Sequence, residues 1–399
     1  MMQMFNRTIL IILDGVGIGE LPDAADYGDA GCATLQHVAE RVDGLKLPHL
    51  QQLGLGRIAS LAGMSPVAAP MAGWGRMKQL SAGKDSVVGH WELAGVVQEQ
   101  PFATFPDGFP REVIDAFTKM TGLPVLGNVS ASGTDILARL GEKHLLTGAP
   151  IIYTSVDSVL QIAAHEEIIP PERLYELCRI AERIVASYRI CRIIARPFVG
   201  ESATTFRRTS RRHDFPCSPT RPTLIDCLQR ARIPTCSVGK VIDLFAGKGF
   251  EHSLPTINNA DGMSKILAAM KMVERGLVFA NLIDFDMLYG HRRDVEGYAR
   301  ALEAFDRWLP HLQKEMKDDD LLIISADHGC DPTAPGTDHT REYVPLLVWS
   351  PSLLHGLNLG VRESFSDVGA TIAEQFSISL ECGTSFLAQL RGAVLADQN

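Results

Sequence analysis

Apolar positions along the chain gather into short runs with a shared ending. Residues 8–13 run straight into Asp14. Residues 277–283 run into Asp284-Phe285-Asp286, with His291 five residues past the last of these. Residues 321–325 pass through Ala326 into Asp327-His328-Gly329, and His339 follows eleven residues after His328. Unbroken apolar runs this short, bounded by charge or glycine, predict strands buried on both faces, as in a parallel sheet. The same signal predicts strands over 150–157, 192–196, 233–238 and 343–349. Elsewhere the period lengthens to that of a helix. Residues 171–186 set Leu174, Leu177, Ile180, Ala181 and Ile184 on one face, with Pro171 in the first turn. Residues 294–316 do the same with Val295, Tyr298, Leu302, Phe305, Leu309 and Leu312, behind Asp294 as N-cap. Shorter helices are predicted over 34–42, 47–53, 223–230, 261–272 and 368–376. One more starts at Asp85 or Ser86 and runs on through His90 and Leu93.

Strands alternating with helices predict an α/β fold with a doubly wound, mostly parallel sheet. Such sheets bind ligands just beyond the carboxyl ends of their strands, where Asp14, Asp286 and Asp327 fall. The pattern breaks at Pro101, Pro106 and Pro110, and the first architecture resumes near residue 219. The expected organisation is a core of 1–100 and 219–399, interrupted by a smaller α+β domain at 101–218.

Composition narrows the function. The 399 residues are 46% hydrophobic and 21% charged, as in an ordinary globular protein with a large core. A formal charge of −9 argues against a general nucleic-acid binder. It also means that an anionic substrate would need local positive charge. The eight cysteines contain no C-x-x-C pair and are read as reduced thiols. The apolar run at 8–13 is too short to span a membrane and lacks a small-residue cleavage site. The cytoplasm is the expected location, with no membrane partner. No self-association signal stands out, so a monomer is expected.

Asp14, Asp286, His291, Asp327, His328 and His339 together supply three carboxylates and three imidazoles. Gathering them without a cation would cost several kcal/mol in repulsion and desolvation. The set suffices for two divalent cations, and mixed nitrogen and oxygen donors suit Mn2+ or Zn2+ better than Ca2+ or Mg2+. Cys330 is a conceivable thiolate ligand, set aside because the other six already fill two sites. Paired metals are the usual apparatus of phosphoryl transfer. Ser86 supplies a nucleophile for it, although capping a helix is the commonest job of a serine at such a position. The basic run 206–214 offers guanidinium forks for phosphate, against the plainer reading of a solvated face. The Gly-rich turn 14–19 lets Asp14 point inward.

Longer motifs carry a family resemblance. They include the runs 12–17 (ILDGVG), 81–92 (SAGKDSVVGHWE), 153–158 (YTSVDS), 161–166 (QIAAHE), 194–201 (IARPFVGE) and 212–214 (RHD). The longest are 281–294 (NLIDFDMLYGHRRD) and 326–342 (ADHGCDPTAPGTDHTRE). With them the chain resembles the prokaryotic phosphopentomutases of the alkaline phosphatase superfamily. The resemblance implies an alkaline-phosphatase-like core and an inserted cap domain that closes over the sugar. It assigns one Mn2+ to Asp286, His291 and His339, and the other to Asp14, Asp327 and His328, with Ser86 bridging. Mg2+, Co2+ or Zn2+ are possible substitutes. The implied reaction interconverts ribose 1-phosphate and ribose 5-phosphate, and likewise the 2-deoxyribose phosphates. It passes through a phosphoserine and a sugar bisphosphate, with glucose 1,6-bisphosphate or ribose 1,5-bisphosphate as activator. Asp157 and Ser155 become candidates for sugar contacts, and Arg196, Arg208 and Arg212 for the distal phosphate. The alternatives are a cofactor-independent phosphoglycerate mutase or a metal-dependent phosphatase of the same superfamily.

One departure stands out, since the family usually has threonine where this chain has Ser86. Serine lacks the methyl group that restrains the rotamer. Turnover is expected to survive with more leakage to water. A Ser86→Thr variant is therefore expected to release less free phosphate per mutase turnover, and an unchanged ratio would rule the leakage out.

Overall fold

The computed structural model describes residues 5–155, 158–353 and 356–395. It contains two compact units, Met1–Gln100 with Pro219–Asn399, and Pro101–Ser218. The first is built on an eight-stranded sheet. From edge to edge its strands are His252–Leu254, Thr235–Val238, Gly276–Leu282, Arg7–Leu13, Asp320–Ser325, Val344–Trp349, Gly73–Met77 and Asn358–Arg362. The first five run parallel to one another. Val344–Trp349 is antiparallel to both its neighbours, and the last edge strand is parallel to Gly73–Met77.

Every residue of Arg7–Leu13, Gly276–Leu282 and Asp320–Ser325 is buried, which is why these three strands read as largely apolar runs. Helices Thr34–Arg41, Pro48–Leu53, Asn259–Met272 and Val295–Glu315 pack among themselves. Helices Ser86–Leu93, Leu224–Arg230, Val241–Leu244 and Ser366–Gln375 form a second such group. The two groups cover the two faces, so the sheet is doubly wound, as the alternating pattern predicts.

Strand register decides where the chemistry collects. Leu13 lies opposite Leu282, and Ile12 opposite Ser325, so the three central strands end level. Val344 lies opposite Met77, and Leu347 opposite Ile324. Reversal of the strand Val344–Trp349 therefore makes it start on that same edge, while Gly73–Met77 ends there. Residues just after 13, 77, 282 and 325, and just before 344, all arrive at one rim.

The opposite rim is locked by a buried ion pair. Arg7 is 3% exposed and Asp320 1%. The Arg7 guanidinium forks onto both oxygens of Asp320 and donates to the carbonyls of Met270 and Val273. Replacing it by methionine leaves a carboxylate buried without its cation, which costs about 3–5 kcal/mol. Arg7→Met is expected to lower the urea midpoint at an unchanged slope, and an unshifted midpoint would contradict this account.

The second unit holds a six-stranded sheet in the order Leu126–Ser130, Ile151–Thr154, Val159–His165, Arg192–Val199, Arg207–Arg208, with His213–Pro216 also paired to Arg192–Val199. Helices Arg111–Thr121 and Pro171–Val185 share one apolar cluster, which includes Val113, Phe117, Leu174 and Leu177. Helix Gly133–Thr147 packs Ile136 and Leu137 against a second one, with Ile151, Tyr153 and Phe198.

Candidate active site and metal centre

Asp14 leaves the first strand directly, and Gly15 then turns the chain with φ +78°. No side chain fits at that turn, because a Cβ on Gly15 would lie 2.9 Å from the Cβ of Cys330. The Gly15 N–H donates to Asp327 Oδ1 at 3.2 Å, which ties the first carboxylate's turn to the second carboxylate. Asp286 sits in a wide π-helical turn, Phe285–Gly290. There the His291 N–H donates to the Asp286 carbonyl at 3.0 Å, an i to i+5 bond. A five-residue spacing thus falls on one face, which an α-helix would not allow. His291 Nε2 lies 3.2 Å from Asp286 Oδ2, and His339 Nε2 lies 3.3 Å from Oδ1. Nδ1 of His291 donates to the Thr337 carbonyl at 2.6 Å, which leaves Nε2 as the free acceptor.

His328 joins the two halves. Its Nε2 is 3.3 Å from Asp14 Oδ1 and 3.5 Å from Asp327 Oδ2, and its ring centroid is 3.9 Å from that of His339. The structure therefore brings Asp14, Asp286, His291, Asp327, His328 and His339 into one cluster. Donor sets of three lie within 4.8 Å at Asp14, Asp327 and His328, and at Asp286, His328 and His339.

The electrostatics call for added positive charge. Burial alone would raise the Asp286 carboxyl, but the adjacent His291 and His339 imidazoles outweigh it and hold the group well below the carboxylate range. Asp327 is likewise raised by burial, yet the His328 and His90 imidazoles bring it down to about 2. Burial pulls His328 down, but Asp327 and Asp14 together push it up to about 10. Three buried carboxylate oxygens of this cluster, Asp14 Oδ1, Asp286 Oδ1 and Asp327 Oδ2, accept no hydrogen bond. Orphaned carboxylate oxygens facing imidazoles fit divalent cations of mixed nitrogen and oxygen preference.

Ser86 opens the helix Ser86–Leu93, and the cap is Asp85, whose carboxylate accepts from the N–H groups of Val87 and Val88 at 2.9 and 3.1 Å. The serine hydroxyl is thereby left for the cluster, 3.1 Å from His328 Nε2. Gly89, one turn on, is required by contact, since a Cβ there would lie 2.2 Å from the Asp327 carbonyl oxygen.

Sequence reasoning gave no role to several residues around this centre. His90 Nδ1 is 3.1 Å from Asp327 Oδ2, and Asn281 donates to Asp14 Oδ2 at 2.9 Å while its amide nitrogen lies 3.2 Å from His90 Nε2. Two signals were available. His90 follows Ser86 by one helical turn, and Asn281 is the polar residue inside an apolar strand. Arg341 was also without a role. It is 3% exposed and donates to the carbonyls of Gln79, Ser81 and Gly83 at 3.0, 2.7 and 2.7 Å, and to the Asp23 carboxylate. It clamps the loop that delivers Ser86 to a strand entry two residues after His339. Removing such a clamp displaces a reacting group by about 1 Å, which costs roughly 100-fold. Arg341→Ala is expected to lower kcat by about that factor with little change in KM, and a normal kcat would refute the clamp.

The substrate candidates lie in the second unit. Burial pushes the Tyr153 phenol up, and the charges of Arg196, Arg208 and Arg212 pull it partly back. Arg196 is itself lowered by burial and by the neighbouring Arg212 and Arg208 charges. Arg212 forks onto Asp214 at 2.6 Å, and Arg211 is occupied by Glu166. Ser155 follows the strand Ile151–Thr154, and its carbonyl accepts from the Thr154 hydroxyl at 3.4 Å. Asp157 lies outside the described residues.

Fold and site together define a metal-dependent enzyme, and a model of the metalloenzyme superfamily matches residues 6–380. The chain is 57% identical to a phosphopentomutase of Syntrophotalea carbinolica over 98% of its length and 99% of that protein. It is 54% identical to one from Caldanaerobacter subterraneus (97% and 98%) and 51% identical to one from Desulfitobacterium hafniense (96% and 100%). Among solved structures it is similar to a Leishmania mexicana phosphoglycerate mutase, with 13% identity, a TM-score of 0.46 and coverage of 96% and 97%. The chain belongs to the phosphopentomutase family and is a mutase. These full-length identities do not favour the phosphoglycerate mutase or phosphatase alternatives.

Proposed function

We propose that this chain interconverts ribose 1-phosphate and ribose 5-phosphate, and the 2-deoxyribose pair, through a phosphorylated Ser86. The observation that carries the reading is that Asp85 takes the helix cap while the Ser86 hydroxyl is held 3.1 Å from His328, inside the carboxylate and imidazole cluster. Asp14, Asp327 and His328 would hold one divalent ion, and Asp286, His291 and His339 the other, Mn2+ being the expected metal. Bound there, such ions would neutralise the phosphoryl group and lower the pKa of the serine hydroxyl.

The chain's own residues do the rest. Ser86 Oγ gives up its proton and forms a bond to phosphorus as the bond from phosphorus to the donor oxygen breaks, and that oxygen takes up a proton as it leaves. The phosphoserine lies at the positive end of its helix. A free hydroxyl of the sugar monophosphate then takes the phosphoryl group and gives a bisphosphate. When that bisphosphate has turned round, Ser86 takes the other phosphoryl group. A sugar bisphosphate such as glucose 1,6-bisphosphate primes the first cycle. Arg196, Arg208 and Arg212 would bind the phosphate that is not reacting, with Ser155 and Asp157 near the sugar. Eight free cysteines support a reducing compartment such as the cytoplasm, and no described helix is long and apolar enough to cross a membrane.

The test is phosphorus NMR of ribose 1-phosphate with the protein, Mn2+ and a trace of glucose 1,6-bisphosphate. Ribose 5-phosphate with little free phosphate is the expected result. Free phosphate as the main product would make water the acceptor and overturn the reading.

A further inference from the structure

Cys330 takes no part in the steps above, yet it lies among their ligands. Its side chain is 1% exposed and pressed against backbone, because a Cβ on Gly290 would lie 2.4 Å from its Sγ. Sγ is 4.0 Å from His291 Nδ1. One donor atom each from Asp286, His291 and Cys330 lies within 4.8 Å of the other two. Asp286, 4% exposed, still has an oxygen with no hydrogen-bond partner. A carboxylate, an imidazole and a thiol in so small a space make a donor set that soft divalent cations prefer.

We propose that Asp286, His291 and Cys330 form a second, thiophilic face of the metal centre, which captures Zn2+ or Cd2+ in competition with the ion held by Asp286, His291 and His339. The proposal rests on the two-metal reading given above. As the bond from sulfur to metal forms, the thiol proton leaves to solvent. A hard ion gains little from sulfur and stays with His339. The two faces share two ligands, so both cannot be filled together. Capture of a soft ion therefore empties the face that the mutase uses, and gives this chain an inherent sensitivity to thiophilic cations.

The probe is Cd2+ added to the metal-stripped full chain, followed by the ultraviolet charge-transfer band from sulfur to cadmium. The wild type is expected to develop a component that saturates near about one equivalent. Cys330→Ser is expected to lose that component and to bind Cd2+ at least ~10-fold more weakly. Prior saturation with Mn2+ is expected to move the wild-type titration to higher Cd2+. The partly exposed thiols of Cys217, Cys227 and Cys382 contribute to both proteins alike, so the difference between them is read. If circular dichroism shows that the serine variant is unfolded, Cys330→Ala takes its place. Equal bands and midpoints in wild type and folded variant overturn the proposal, and so does a titration indifferent to Mn2+. Mutase turnover of the wild type with Mn2+ alone decides the proposed reaction separately, because its absence would not alter the cadmium spectrum.

Discussion

Ser86→Ala is expected to reduce mutase turnover by roughly 10⁴-fold or more, the scale seen when a covalent nucleophile is removed. The variant should fold normally, because the cap belongs to Asp85, whose bonds to Val87 and Val88 do not involve the serine hydroxyl. It should also keep its metal, since the six carboxylates and imidazoles are untouched. Intact-mass measurement after incubation with glucose 1,6-bisphosphate provides an independent check. The wild type should gain one phosphoryl group and the variant none. Turnover above about 1% of wild type would mean that phosphoryl transfer does not pass through this oxygen.

Metal removal is the second large effect, and its pH dependence follows from His328. Stripping the protein with a chelator is expected to cost at least ~10³-fold in turnover, restored by Mn2+. In the stripped protein, Asp327 and Asp14 push His328 from its ordinary 6.5 up to about 10. Its folded-state pKa is raised, so the stabilisation from the imidazolium is fully present below pH 6.5 and is lost as the pH rises through 10. Metal binding needs the neutral ring, and so must release that proton between those limits. Apparent Mn2+ affinity should therefore rise about tenfold per pH unit through neutrality. Calorimetry in buffers of different ionisation enthalpy would count the proton. Binding that releases none would mean that the His328 imidazole is already neutral.

The parts of the fold legible in the sequence are those where one physical demand dominates. Arg7–Leu13, Gly276–Leu282 and Asp320–Ser325 are buried on both faces and are apolar except at Arg7, Thr8, Asn281, Asp320 and Ser325. The helix Val295–Glu315 shows its period because Tyr298, Leu302, Phe305, Leu309 and Leu312 face the core while the other side meets water. The strands Gly73–Met77 and Asn358–Arg362 went unread. Their glycines serve backbone contact, since a Cβ on Gly75 would lie 2.5 Å from the Gly360 carbonyl. No hydrophobic pattern records a demand of that kind. At the site, the ligand types were visible because each stands where an apolar run stops. His90, Asn281 and Arg341 act by holding other residues, and their partners are close only in space.

The order of the sheet has a consequence for the newborn chain. The strand Arg7–Leu13 leaves the ribosome first, yet its two neighbours are Gly276–Leu282 and Asp320–Ser325. At about 5–20 residues per second, translation needs tens of seconds to supply the first of them. For all that time a seven-residue strand with five consecutive apolar residues and both edges unpaired stays exposed, a template for association with other chains. The unit Pro101–Ser218 is complete well before and carries its own apolar clusters, so it can condense while the first strand waits. Until the centre of the sheet has been made, the edges of Arg7–Leu13 have no native partner to cover them.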